Sequence, residues 1–204
     1  RVWSGAGMAG GEVISWATIA QNINAAAYTS DWGVAFASLG QGESYVSVKV
    51  SDNAGLVSVG TDVFYIRKDT ATPTVINKQA GDDTWYSTDP GTVFDVDFSD
   101  TGGSMLSSAE YTVWSSSDLS SGTGSEVLAW ATIASSIGAA SYTADWAANF
   151  SSLPNGKFWV SARAADDAGN TSTVATDVFY VMNDSAAPTV INYQSGDDTV
   201  SGSD

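Results

Sequence analysis

The chain contains a partial copy of itself, and that constrains its fold more than any other feature. TDVFYIRKDTATPTVINKQAGDDT (61–84) returns as TDVFYVMNDSAAPTVINYQSGDDT (176–199), identical at 17 of 24 positions with an offset of 115. Upstream, residues 16–55 match 130–169 at 21 of 40 positions with an offset of 114. Val2-Trp3 pairs with Val113-Trp114. Offsets that drift by a few residues are what surface-loop insertions produce. A period of about 115 residues is domain-sized and far longer than a solenoid unit. The expected organisation is therefore tandem copies of one globular domain. Residues 1–68 match the later part of a unit, 69–183 make a complete unit, and 184–204 match the start of a third. The chain reads as a fragment of a longer array. An alternative has subunits completing one another head to tail by strand addition into a fibre. Residues 90–111 have no match elsewhere in the chain, which favours the fragment.

Charge narrows the partners. The chain carries 23 acidic and 7 basic residues, a net −16. Such a surface repels nucleic acid and anionic membranes and attracts divalent cations. With 43% hydrophobic and 11% aromatic residues, it is still a core-forming chain rather than an acidic tail. No run reaches transmembrane length, so no direct membrane insertion is expected. Cys and His are both absent, which removes thiol and imidazole chemistry, zinc fingers and a Ser-His-Asp triad. Abundant Gly, Ser, Thr, Asp and Asn with scarce Lys point to an extracellular setting.

The complete unit reads as short strands between turns, an all-β sandwich. TPTVIN (72–77) opens with Pro73, tolerated at the start of an edge strand. AGDD (80–83) is a turn. In TVFDVDFSD (92–100), Phe94, Val96 and Phe98 alternate with Asp95, Asp97 and Ser99, putting aromatics inward and carboxylates on an exposed outer face. Strands are expected at 84–87, 106–116, 126–133 and 157–166, with a closing strand within 171–181. The stretch 134–156 fits either a helical turn or a strand edge and loop.

An Asp-led linker into a Pro-bearing first strand (DTATP, DSAAP) and a penultimate strand running into DDAGN carry a family likeness. Together they resemble the bacterial immunoglobulin-like repeats of giant surface adhesins and biofilm-associated proteins. The likeness spans the whole unit, which is longer than usual between about 117 and 150. It implies tandem immunoglobulin-like β-sandwich domains in a cell-surface or extracellular bacterial protein. Neighbouring repeats would be the principal partners.

In that fold, Asp166, Asp167 and Asn170 share a pole with Asp100 and Thr101, and Asp69 leads the linker entering it. Carboxylates converging there would repel unless a hard cation with six to eight oxygen ligands joined them. Related adhesin repeats hold calcium at their junctions, so the resemblance implies a Ca²⁺ site at Asp69, Asp100, Asp166, Asp167 and Asn170. The competing reading makes Asp-Asp-Ala-Gly-Asn a hairpin turn and nothing more. The matching turn SDNAGL (51–56) keeps Asp52 but has Leu56 in place of Asn170, so a site there should be weaker.

Other patterns suggest chemistry less strongly. DVDFSDTGG (95–103) has a superficial calcium-loop look that strand alternation explains. GDDTVSGSD (196–204) has a β-roll look, but its counterpart GDDTWYSTD lacks the glycine period. Recurrence of Trp3, Trp16 and Trp32 as Trp114, Trp130 and Trp146 suits a core role better than sugar stacking. Trp85 does not recur, since Val200 takes its place. Asn170-Thr171-Ser172 is a glycosylation sequon. Asp95 and Asp97 are a carboxylate pair, but they lie ~7 Å apart on one strand face with no pocket implied. The chain is therefore not expected to be an enzyme. It reads as a structural segment of a shaft, stalk or filament. The alternative is a glycan- or protein-binding module using exposed aromatics.

Overall fold

The computed structural model describes residues 1–79, 84–117, 123–193, 196 and 202, so the AGDD turn and most of 196–204 fall outside it. The chain is all-β. Among the described residues, helical structure is limited to 3-10 turns such as Phe36–Ser38 and Phe150–Ser152.

Residues 2–68 form a four-stranded antiparallel sheet of β1 (Val2–Gly5), β2 (Ala9–Ile14), β3 (Gly42–Ser51) and β4 (Val57–Lys68), in the order β2-β1-β3-β4. Beyond it, β5 (Thr74–Asn77), β7 (Val96–Ser99) and β10 (Ser141–Tyr142) make a three-stranded sheet ordered β10-β7-β5. A five-stranded sheet is ordered β6-β12-β11-β8-β9. It is built from β6 (Trp85–Tyr86), β8 (Leu106–Trp114), β9 (Glu126–Ala139), β11 (Gly156–Asp166) and β12 (Ala175–Asn183). The order β9-β8-β11-β12 repeats that of β2-β1-β3-β4. A register shift between Val46 and Val48 in the β3–β4 pair returns between Val160 and Ala162 in β11–β12. Asp62 and Asp177 follow these irregularities with the same left-handed φ of 51°. Their amides donate to Ser47 Oγ and Ser161 Oγ.

The three- and five-stranded sheets share one core, as in a β-sandwich. Phe94, Val96 and Phe98 from one layer meet Val113, Val160 and Phe179 from the other, all buried. The inward alternation expected for β7 is therefore present. Phe94 stacks on Phe179 at 4.3 Å, and its main chain bridges to Trp146. Strand β5 is an edge, with Pro73 buried just before it. Strand β6 pairs in parallel with β12 and so belongs to the opposite sheet from β5. The ambiguous stretch 134–156 is the end of β9, then β10, then a 3-10 turn.

Two expectations are corrected. Asp97 faces outward but is buried, because β7 is the central strand of its sheet and Lys78 pairs with the carboxylate. Of the recurring tryptophans in the complete unit, Trp146 alone is buried in the core. Trp114 and Trp130 are half-buried, as is Trp159. Trp114, Trp159 and Tyr180 are cross-strand neighbours on one face. Lys157 lies over Trp159 and Tyr180, and Arg163 over Trp130. The ring faces are taken by cations, so a tryptophan can recur without entering the core.

Candidate metal centre

Asp69 begins the segment joining β4 to β5. Asp100 follows β7, and Asp166 ends β11. One oxygen of each lies within 4.8 Å of the others. Asp100 and Asp166 are buried, at 6% and 3% exposure. Among the described residues, none of the three carboxylates has a Lys or Arg ion pair. Like charges this close repel, and burial removes the water that would screen them.

Local hydrogen bonds fix the three side chains differently. Asp69 Oδ1 accepts the Ala71 amide at 2.9 Å, and its Oδ2 accepts the Ser104 amide at 2.8 Å. Burial pushes the Asp69 carboxyl up, but hydrogen bonds from Ser104 and the Ala71 amide outweigh it and hold it below the ordinary carboxylate value. Asp166 Oδ1 accepts the Asn170 amide of the hairpin turn, and its Oδ2 accepts the Asn170 side-chain amide, both at 2.8 Å. Asp100 Oδ1 receives a long contact of 3.4 Å from the Gly102 amide, and its Oδ2 is buried with no hydrogen-bond partner among the described residues. An orphaned carboxylate oxygen beside two other carboxylates fits a hard cation better than a closed hydrogen-bond network.

Gly102 shapes this site, and its role was not legible in the sequence. A Cβ there would overlap the Asp69 carboxylate. Of the acids expected at this pole, the structure brings Asp69, Asp100 and Asp166 together, and Asn170 hydrogen-bonds to two of them. Asp167 is exposed and outside the cluster, and its amide donates to the Met105 carbonyl at 3.0 Å. Thr101 is exposed too. The Asn170 side-chain nitrogen also donates to the Asp69 main-chain carbonyl at 3.2 Å, so the sequon's amide is engaged.

The turn reading also has structural content. Asp52 Oδ1 accepts the Leu56 amide at 2.9 Å, as Asp166 does from Asn170. That bond needs no particular side chain at 56 or 170. The reach from the turn to Asp69 needs Asn170.

The linker is held from its other side as well. Lys68 donates to the Leu39 carbonyl at 2.7 Å, and the Thr70 amide donates to Gln41 Oε1 at 3.1 Å. The same geometry returns one period later. Asn183 donates to the Leu153 carbonyl at 2.7 Å, and the Ser185 amide donates to Asn155 Oδ1 at 3.0 Å. Residues 68–71 are thus bound by the turn at 36–41 behind them and by Ser104 and Asn170 ahead.

No protein-family model matches this chain, and no curated protein matches it.

Proposed function

We propose that this chain is a structural repeat segment of a long bacterial cell-surface or extracellular protein. Its immunoglobulin-like units stand in tandem, and calcium at Asp69, Asp100 and Asp166 stiffens the junction. One observation carries the reading: the linker 68–71 is hydrogen-bonded to both flanking units while three carboxylates, two of them buried, converge at its second residue. A shaft needs this, because a connection tied on both sides bends less than a free one. Calcium bound there would draw on the three carboxylates. Turning the Asn170 amide over would bring Oδ1 in place of its NH₂ group. Neighbouring repeats are the partners, and length rather than a pocket supplies the function.

Calorimetric titration of the chain with Ca²⁺ tests the site. The expected result is one saturable site that Asp100→Asn weakens at least tenfold. Absence of binding, or equal binding by the variant, rejects it.

The second reading, a binding module, draws on exposed Trp85 and on the aromatic row Trp114, Trp159 and Tyr180. The row has a counterpart in Trp3, Tyr45 and Tyr65. Lys157, Arg1 and Arg67 cover ring faces in these rows, which disfavours sugar stacking. A glycan array separates the readings.

A further inference from the structure

One face of the five-stranded sheet packs on the three-stranded sheet, and the other carries a surface unlike the rest of the chain. Trp114, Trp159 and Tyr180 are register neighbours across β8, β11 and β12. Lys157, Met182 and Trp85 are register neighbours across β11, β12 and β6. Residues two apart on a strand share a face, so both rows lie on the outer side. Trp85 is 57% exposed, Met182 is buried, and the three rings of the first row are half-buried. Further along the same strands Glu110 pairs with Arg163, whose guanidinium lies 4.1 Å over the Trp130 ring.

Charge on this face departs from that of the chain. Residues 69–183 hold fourteen acids and three bases. Two of the bases, Lys157 and Arg163, are here, against Glu110, Glu126 beside Trp114, and Asp177 beside Ser161. These charges cancel to within one, on a unit whose fourteen acids and three bases leave net −11. The first unit repeats the design. Trp3, Tyr45 and Tyr65 form the same row across β1, β3 and β4, and Glu43 pairs with Arg67 beside it. Lys49 lies 4.9 Å over Trp16 as Arg163 lies over Trp130. Every arginine of the chain makes both a glutamate ion pair and a ring contact. Trp, Tyr, Met and Arg are the side chains that protein–protein contacts favour, and uncompensated charge is what their centres avoid.

We infer that this outer face is a lateral docking surface for a second copy of the chain. Two arguments commit to that partner. Copies at net −16 repel wherever acidic surfaces meet, so a face whose charges cancel is where they approach most closely. A two-fold contact of this face with itself needs no other surface. The row also recurs with the unit, so a partner that engages it in every unit must share the period, and a second copy does. Contacts weak singly then add along the array. The second argument rests on the proposed tandem arrangement, and the first does not.

The test is sedimentation equilibrium of the whole chain in chelator, across protein and salt concentrations. A reversible monomer–dimer equilibrium is expected. It should strengthen about tenfold between low salt and about 0.5 M NaCl, because salt screens the self-repulsion while the contact itself is close to neutral. Trp85→Asp should abolish the dimer, with near-ultraviolet dichroism confirming the fold. Ile76→Asp adds the same charge to the outer face of the opposite sheet, where Ile76 is 42% exposed, and should leave the dimer in place. A chain that stays monomeric at millimolar concentration overturns the inference, as does a dimer that both variants weaken equally or that salt dissociates. So does a glycan that binds a monomeric chain and is lost in Trp85→Asp, because the face would then have another partner. A normal Ca²⁺ titration of a monomeric chain rejects only this inference.

Discussion

The side-chain amide of Asn170 reaches the main-chain carbonyl of Asp69, 101 residues earlier, at 3.2 Å, and from the same nitrogen donates to Asp166. One neutral side chain therefore joins the linker to the hairpin that the calcium would also hold. Asn170→Ala should leave a buried Asp166 oxygen without its donor, at a cost of about 1–3 kcal/mol. Urea unfolding without calcium measures the loss, and added Ca²⁺ should recover part of it. An unchanged midpoint would mean that the turn's main chain alone sets stability there.

Gly102→Ala should damage the site without touching a ligand. The new Cβ would occupy the place of the Asp69 carboxylate, which must swing away from Asp100 and Asp166. Calcium affinity should fall at least tenfold by calorimetry. Gly33→Ala, which meets nothing within 4 Å, is the control and should leave affinity unchanged.

Phe94→Ala or Phe98→Ala should cost about 3–5 kcal/mol by urea unfolding, since both side chains are buried between the layers. Phe64→Ala should cost under about 1 kcal/mol, although Phe64 is the counterpart of buried Phe179. Phe64 keeps its tilted contact with Trp32 at 5.6 Å, as Phe179 does with Trp146 at 5.4 Å, but among the described residues no ring stacks on it as Phe94 does on Phe179. Equal losses would contradict the difference in burial, with Phe64 40% exposed and Phe179 2%.

Alkaline pH should weaken the sandwich through Tyr111. Burial raises its hydroxyl pKa above the ordinary value, opposed by the hydrogen bond from the Asn149 amide and helped by Asp89. The unfolded tyrosine loses its proton first, so stability is full below about pH 10 and falls as pH rises toward the folded pKa. Tyr111→Phe should flatten that part of the pH profile relative to the parent chain. Parallel profiles for the two proteins would rule the contribution out.

Much of this was legible in particular residues. The Phe94-Asp95-Val96-Asp97-Phe98 alternation fixed which side chains enter the core, because strand geometry admits no other period. It did not reveal that Asp97 is buried, since that depends on β7 being central and on Lys78 crossing over. Asp69, Asp100 and Asp166 were readable as a convergent set, but Asp167 was not separable from Asp166, because a turn can point either neighbour at the pole. Gly102 carried no signal: its role is a clearance, and an absent atom leaves no pattern. The outward Trp114 and Trp130 were misread because recurrence marks any residue each unit must place, on either face.

The proposed shaft is tested most directly by small-angle scattering of the whole chain in calcium and in excess chelator. Chelation should broaden the distribution of distances between the first sheet and the sandwich, while the near-ultraviolet dichroism of the sandwich stays unchanged. Superimposable profiles in calcium and chelator, with calcium binding verified in the same sample, would contradict a junction stiffened by the ion.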